Sequence, residues 1–121
     1  MICTKTANGY AVTAKKYSLE VSERKIAVIL KKVPVATLCP ISAVDTLCGE
    51  EVVGDIDEKT LVFEAKVDIA DNRPVFSWTT KSNLWEKKVY TLVCGEENFS
   101  FKVKIFGKGK IHTLDYFKGI S

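Results

Sequence analysis

Alternation of apolar and polar residues with a period of two is the feature that most constrains the fold of this chain. It runs without a break over residues 99–105, where the apolar side chains share one face and serine and two lysines share the other. The pattern predicts two further half-buried strands over residues 17–21 and 61–69, and the odd-numbered residues of the second should share one face. Ile26–Leu30 is apolar on both faces, which is typical of a central strand.

Turn-forming residues separate these segments. Asn8-Gly9 suits a tight hairpin turn because positive φ costs little there, and Pro74 must open a strand or lie at an edge. A helical period is absent, and only residues 41–47, after Pro40, are compatible with one helical turn. About eight to ten short strands at a spacing of about 8–12 residues are typical of a sandwich or barrel. We therefore predict an all-β fold, a single antiparallel β-sandwich domain over residues 1–121.

Composition and charge exclude several classes of protein. The chain has 121 residues, of which 46% are hydrophobic and 27% charged, so it can bury a core and is not intrinsically disordered. The net charge of +3 is too small to imply a nucleic-acid partner, and only two of the eighteen cations are arginine, the residue that base readers favour. The lysines near the C-terminus lack the interleaved aromatic residues of a nucleic-acid-binding surface. We therefore interpret them as residues of a solvent-facing or edge strand that prevent edge-to-edge pairing with other chains.

The chain also lacks the signals that direct proteins to membranes or export. No apolar run approaches the roughly 18–20 residues of a membrane span, and the polar N-terminus has no apolar signal region. We predict a cytoplasmic location, unless the chain is a fragment of an exported protein, and no membrane partner. Reduced thiols are then favoured over two disulfides, for which three pairings exist. The cysteines are Cys3, Cys39, Cys48 and Cys94.

Residues with catalytic chemistry do not form a recognised pattern. His112 is the only histidine, and no local signature pairs it with a cysteine as a nucleophile. The adjacent pairs Glu50-Glu51 and Glu96-Glu97 would point to opposite faces of a strand, so neither pair can flank one scissile bond. We predict no catalytic residue, and the chain alone is more consistent with a protein that is not an enzyme.

Metal and cofactor sites are likewise not indicated. The cysteines contain no C-x-x-C pair, so with one histidine they do not complete a zinc set. Two oxygen-rich segments resemble the calcium loops of other sandwiches but lack the spacing of a calcium-binding loop. These segments contain Asp55, Asp57 and Glu58, and then Asp68, Asp71 and Asn72. No metal and no cofactor is predicted.

Aromatic side chains are the remaining candidates for ligand binding. Exposed tryptophan or tyrosine rings stack on sugars, because CH groups pack on π faces. Trp78 shares a strand face with Phe76 and is more typical of a core residue, whereas the polar neighbours of Trp85 leave core and surface equally open. The candidate ligand-binding residues are Trp85, Trp78 and Tyr116.

The C-terminal segment over residues 99–119 carries a resemblance to a known group of domains. It reads as a strand, the turn Gly107-Lys108-Gly109, and a second strand ending in Tyr116-Phe117-Lys118-Gly119. This hairpin-like segment resembles one in the N-terminal β-sandwich domains of some multidomain glycoside hydrolases. The resemblance covers about a sixth of the chain. It implies an accessory domain whose catalytic partner is a following (β/α)₈ barrel, and it transfers no catalytic residue to this chain.

Three functional hypotheses follow from these observations. The first is a non-catalytic accessory or binding module of carbohydrate-processing proteins, with a glycan or a following catalytic domain as its partner. The alternative is a structural assembly protein, such as a phage or secretion-machine component, that acts by strand packing and oligomerisation. The third is a small β-barrel enzyme or ligand carrier with an internal cavity. The oligomeric state separates the second hypothesis from the other two.

Overall fold

The structure, a computed structural model, describes residues 1–48, 50–68, 73–108 and 111–116, and for residues 43, 47, 48, 67, 68 and 111–116 it describes the backbone alone. Within these residues it contains twelve β-strands and no helix. The strands are β1 (Ile2–Lys5), β2 (Gly9–Thr13), β3 (Ser18–Ser22), β4 (Ile26–Leu30), β5 (Val33–Leu38), β6 (Ser42–Cys48), β7 (Glu51–Val53), β8 (Lys59–Asp68), β9 (Arg73–Lys81), β10 (Lys87–Cys94), β11 (Phe99–Phe106) and β12 (Ile111–Tyr116).

The strands form three antiparallel sheets. A five-stranded sheet has the order β1-β2-β3-β4-β5, and a four-stranded sheet has the order β11-β10-β9-β8. Both are meanders, in which each strand pairs with the next one along the chain. The third sheet, β12-β6-β7, takes strands from two separate parts of the chain. The predicted all-β, antiparallel, sandwich-like class is confirmed.

The main core lies between the five-stranded and the four-stranded sheets. Alternate residues of β3 and β4 point inward and meet the aromatic inner face of β9 and β10. Trp78 stacks on Phe63 with 5.1 Å between ring centroids, and its Nε1 donates a hydrogen bond of 3.2 Å to the Ser22 carbonyl of the opposite sheet. Fully buried core side chains of this size each contribute roughly 1.5–3 kcal/mol. The core residues are Val12, Tyr17, Leu19, Val21, Ile26, Val28, Phe76, Trp78, Tyr90, Leu92 and Cys94.

Two local interpretations of the sequence differ from the structure, and each has a backbone cause. Residues 42–48, which overlap the segment compatible with one helical turn, form strand β6, and this strand pairs on one side with β7 and on the other with β12. Leu61 was expected to face inward with Phe63. A bulge between Thr60 and Val62 shifts the register there, and Leu61 is 60% exposed while Phe63 packs on the core.

A tight turn joins β1 and β2 at the predicted place, and the Thr6 amide donates a 2.8 Å hydrogen bond to the Gly9 carbonyl there. Neither Asn8 nor Gly9 has a positive φ, so the backbone conformation expected of this pair is not found. Gly9 is required there by a close approach of backbone. A Cβ at this position would lie 2.0 Å from the Val21 carbonyl oxygen on the neighbouring strand.

The C-terminal segment does not form the predicted hairpin. β11 pairs with β10 in the four-stranded sheet, whereas β12 pairs with β6 in the three-stranded sheet. Gly107, at the start of the connection, lies against Trp85, and an added Cβ would be 3.0 Å from the indole ring. The chain therefore changes sheets after β11 and ties the C-terminal strand to the middle of the sequence.

Candidate functional site

The most concentrated polar chemistry of the described residues surrounds Lys88, near the start of β10. The alternation of β10 places Lys88 on the same inner face as Tyr90, Leu92 and Cys94, and its side chain is 0% exposed. Side chains from three parts of the chain converge on it. We call this group the Lys88 cluster; its members are Ser42, Asp55, Glu58, Thr80, Lys88 and Tyr90.

Two carboxylates hold the Lys88 ammonium. Its Nζ lies 2.6 Å from Oδ2 of Asp55 and 2.9 Å from Oε1 of Glu58. The exposed fractions of these carboxylate side chains are 0% and 7%. The Nζ also lies 3.2 Å from the carbonyl oxygen of Ser42 and 3.3 Å from its hydroxyl. All three ammonium donors therefore have acceptors, as a buried lysine requires.

Neutral hydroxyl groups hold the second oxygen of Glu58. Its Oε2 accepts hydrogen bonds from Tyr90 at 2.6 Å and from Thr80 at 2.5 Å. Burial, and then the hydrogen bond to Glu58, raises the pKa of Tyr90 well above its ordinary value. The phenol is thus protonated at neutral pH and donates to Glu58, while the Ser42 hydroxyl, 2.7 Å away, donates to the phenol oxygen.

The two oxygens of Asp55 differ sharply in their surroundings. Oδ2 accepts the Lys88 ammonium and the backbone N–H of Val44 at 3.0 Å. Oδ1 is buried and has no hydrogen-bond partner. An unsatisfied buried carboxylate oxygen costs free energy, so it requires an explanation in the chemistry of the site.

The loop between β7 and β8 carries Asp55 and Glu58, and Asn83 fixes it in place. The Asn83 side chain accepts a 2.7 Å hydrogen bond from the Ile56 amide and donates one of 3.0 Å to the Gly54 carbonyl. Trp85 lies beside the cluster, 4% exposed, and its Nε1 donates a 2.7 Å hydrogen bond to the carbonyl of Val44 on β6. The Lys88 cluster is consequently enclosed, and it joins the three-stranded sheet to the four-stranded sheet.

The three candidate aromatic residues lie in different parts of the fold. Trp78 is 0% exposed in the main core, and Trp85 is 4% exposed beside the Lys88 cluster. Neither indole presents a ring face on which a sugar could stack. Tyr116 ends β12, whose backbone pairs with Ser42 of β6, and its side chain lies outside the described residues.

The oxygen-rich segment at Asp55 serves a cation of the chain itself. Asp55 and Glu58 both turn to the Lys88 ammonium, and Asp57 is exposed with φ of 58°. The described residues contain no group of three metal-ligating side chains. Asp71 and Asn72, and the side chain of Asp68, lie outside the described residues.

The thiol of Cys94 is not activated as a nucleophile. Cys3 and Cys94 are thiols, and burial, followed by the neighbouring Cys3, raises the pKa of Cys94 to about 12. Such a thiol is a poor nucleophile at neutral pH. The side chains of His112 and Cys48 lie outside the described residues.

The Lys88 cluster was not predicted from the sequence. Asp55 and Glu58 were considered only as members of an oxygen-rich segment, and Lys88 was assigned no role, because lysine and carboxylates are rarely fully buried. One signal was present: Lys88 is in phase with Tyr90, Leu92 and Cys94, so on one strand it shares their face.

Comparison with known proteins finds no counterpart: no family model, no curated protein and no solved structure matches this chain. The described residues contain no helix long and apolar enough to span a bilayer.

Proposed function

We propose that this chain is a non-catalytic structural module that assembles with a second copy of itself through the outer face of its five-stranded sheet. The proposal rests mainly on the composition of that face. Its residues are the alternates of the buried core positions and form two rows across all five strands. The rows are Thr4, Ala11, Glu20, Ala27 and Thr37, and Ile2, Thr13, Ser18, Ile29 and Pro34.

The ten residues of this outer face are nearly uncharged. Glu20 is its one charged residue among the ten, and the others are small, apolar or hydroxyl-bearing. Edge strand β5 also exposes Val35, the extra residue at its bulge, which is 52% exposed, and Ile2 in the opposite edge strand is 66% exposed. Apolar surface of this kind at a sheet edge is typical of a packing surface.

Charge favours a second copy as the occupant. A two-fold contact places the same surface on both sides, so it tolerates few like charges. The outer face of the four-stranded sheet is different, since its rows contain Lys66, Lys102 and Lys104. Two copies would repel each other through that face and not through the five-stranded one.

The chemistry of the Lys88 cluster supports a structural role. Its charged groups are enclosed and pair with one another, with no open face toward a substrate. Sugar binding through Trp78 or Trp85 has no exposed ring to support it, so the glycan-contacting accessory role stays a prediction from the C-terminal resemblance.

Light scattering coupled to size-exclusion chromatography, at several concentrations, tests the proposal. The wild type should approach twice the chain mass as concentration rises. Ala27→Glu, in the middle of the outer face and beside Glu20, should remain monomeric. Ser77→Glu is the matched control and should dimerise like the wild type. Ser77 lies on the outer face of the four-stranded sheet, in the interior strand β9, and it also has a glutamate, Glu64, beside it. A concentration-independent monomer for the wild type would refute the proposal.

A further inference from the structure

The Lys88 cluster brings an amine and a carboxyl group together in an enclosed site. Lys88 and Asp55 have side chains that are 0% exposed, and their charged atoms are 2.6 Å apart. Glu58 adds a second carboxylate at 2.9 Å from the same nitrogen. With every group ionised, the site would hold one buried positive charge and two buried negative charges, an expensive arrangement in a low-dielectric interior.

We propose that Lys88 and Asp55 condense to an intramolecular isopeptide bond, with Glu58 carrying the proton. This inference rests on the geometry of the cluster and is independent of the assembly role proposed above.

The reacting atoms are already close. Because Cγ of Asp55 is one bond from Oδ2, the Lys88 nitrogen lies within about 3.8 Å of it. This approaches the separation of about 3–3.5 Å from which oriented groups react. Fixed in this way, an amine and a carboxyl group reach effective concentrations far above any in solution.

The two oxygens of Asp55 have the surroundings that the reaction needs. The Val44 N–H donates to Oδ2 at 3.0 Å, so it would stabilise the negative charge that develops on this oxygen when nitrogen adds to Cγ. Oδ1 is buried and has no hydrogen-bond partner. It is therefore the oxygen whose departure costs no hydrogen bond, and its loss removes an unsatisfied polar group.

The step balances without an outside reactant. The Lys88 ammonium gives one proton to Glu58, and the resulting amine adds to Cγ of Asp55. The tetrahedral intermediate collapses as the C–Oδ1 bond breaks. Oδ1 leaves as water with two protons, both passed across the nitrogen, to which Glu58 returns the proton that it had taken. One ammonium and one carboxylate become one amide and one water, and Glu58 ends as it began.

The other members of the cluster position Glu58 and exclude solvent. Tyr90 and Thr80 hold its Oε2, and the Ser42 amide donates to its Oε1 at 3.1 Å. The side chains of Lys88 and Asp55 are 0% exposed, so bulk water is kept from the product. The bond would join β10 directly to the loop between β7 and β8, closing the chain between residues 55 and 88.

Intact-mass spectrometry of the purified, denatured chain tests the proposal. The wild type should be lighter than its sequence by the mass of one water. Tryptic digestion should then yield one branched product, in which residues 33–59 are joined to residues 88–102 because trypsin no longer cleaves after Lys88. A wild-type protein of full mass would overturn the proposal, as would a mass loss that does not map to Lys88.

Variants separate the roles of the three groups. Lys88→Arg and Asp55→Ala should restore the full mass, and Glu58→Gln should slow or abolish the loss of water while leaving the nitrogen and Asp55 in place. Asp57→Asn, an exposed neighbour on the same loop, is the matched control and should lose water like the wild type. The wild-type mass and the branched peptide are read without any variant, so misfolding of a variant leaves the test intact. Unchanged loss of water in Lys88→Arg would overturn the assignment, and unchanged loss in Glu58→Gln would overturn the role of Glu58.

Discussion

Replacing Lys88 by methionine should destabilise the chain far more than replacing its neighbour Lys87. In Lys88→Met the volume is nearly kept, but the ammonium that two buried carboxylates share is lost. The cost falls mainly on Asp55. Its Oδ2 keeps only the Val44 amide, and its Oδ1 already has no partner, whereas Glu58 keeps its contacts with Tyr90 and Thr80.

Removing one partner of such a buried pair costs about 3–5 kcal/mol. That is a large part of the roughly 5–15 kcal/mol that stabilises a domain of this size. In a chain that has formed the isopeptide bond proposed above, Lys88→Met would lose this covalent link in place of the ion pair. Lys87→Met is the control, because Lys87 lies on the exposed face of the same strand, 4.5 Å above the Phe106 ring, and should lose only about 0.5–1 kcal/mol.

Urea unfolding at pH 7, followed by tryptophan fluorescence, measures both variants. A second substitution sharpens the test: Asp55→Asn in the Lys88→Met background removes the stranded charge and should recover about 1–3 kcal/mol. The reasoning would be refuted if Lys88→Met cost no more than Lys87→Met, since Lys88 would then not hold buried carboxylates.

Three further predictions concern other parts of the fold. Gly9→Ala should lower the free energy of unfolding by about 1–3 kcal/mol, because the added Cβ would lie 2.0 Å from the Val21 carbonyl oxygen. Gly54→Ala is the control and should change the free energy of unfolding by less than about 0.5 kcal/mol, because the space around Gly54 is open. Equal effects of the two substitutions in urea unfolding would contradict this prediction. The β4–β5 turn holds Lys31 and Lys32 at φ of 50° and 64°, a conformation that asparagine and glycine adopt at lower cost than lysine. The double variant Lys31→Asn with Lys32→Gly should therefore raise the free energy of unfolding by about 1 kcal/mol. No increase in the urea midpoint would show that the turn is not strained. Burial raises the pKa of Cys94 from 9.0 to about 12, so the contribution of this thiol to stability is complete below pH 9 and falls as pH rises toward 12. Cys94→Ala should therefore make the free energy of unfolding decline less steeply between pH 9 and pH 12. An unchanged slope would exclude Cys94 as the source of the decline.

Period-two alternation predicted the strands well because it reports which residues share a face. The run from Phe99 to Ile105 is found as predicted, with Phe99, Phe101 and Val103 packed on the core. The same pattern does not determine which strands pair. The pairing of β12 with β6 was therefore not predictable from the sequence. The bulge between Thr60 and Val62, which leaves Leu61 facing solvent, also has no local sequence signal.

The Lys88 cluster shows the limit of local reasoning. Asp55 and Glu58 lie 33 and 30 residues from Lys88 in the sequence, and each alone is typical of a solvated surface. The two carboxylates can be buried because they pair with the Lys88 ammonium, and this pairing depends on how the sheets are arranged. The phase of Lys88 with Tyr90 and Leu92 was the only part that the sequence itself contained.

The whole Lys88 cluster depends on the burial of Lys88, and amine labelling of the native protein tests this burial most directly. The chain should be treated with an amine-reactive acylating reagent and the modified lysines mapped by peptide mass spectrometry. We expect exposed lysines such as Lys87, Lys102 and Lys104 to react readily and Lys88 to stay unmodified in the folded protein. In the unfolded protein, Lys88 should become labelled only in chains that lack the isopeptide bond proposed above. Labelling of Lys88 in the native protein at a rate comparable to that of Lys87 would contradict the enclosed cluster and everything inferred from it.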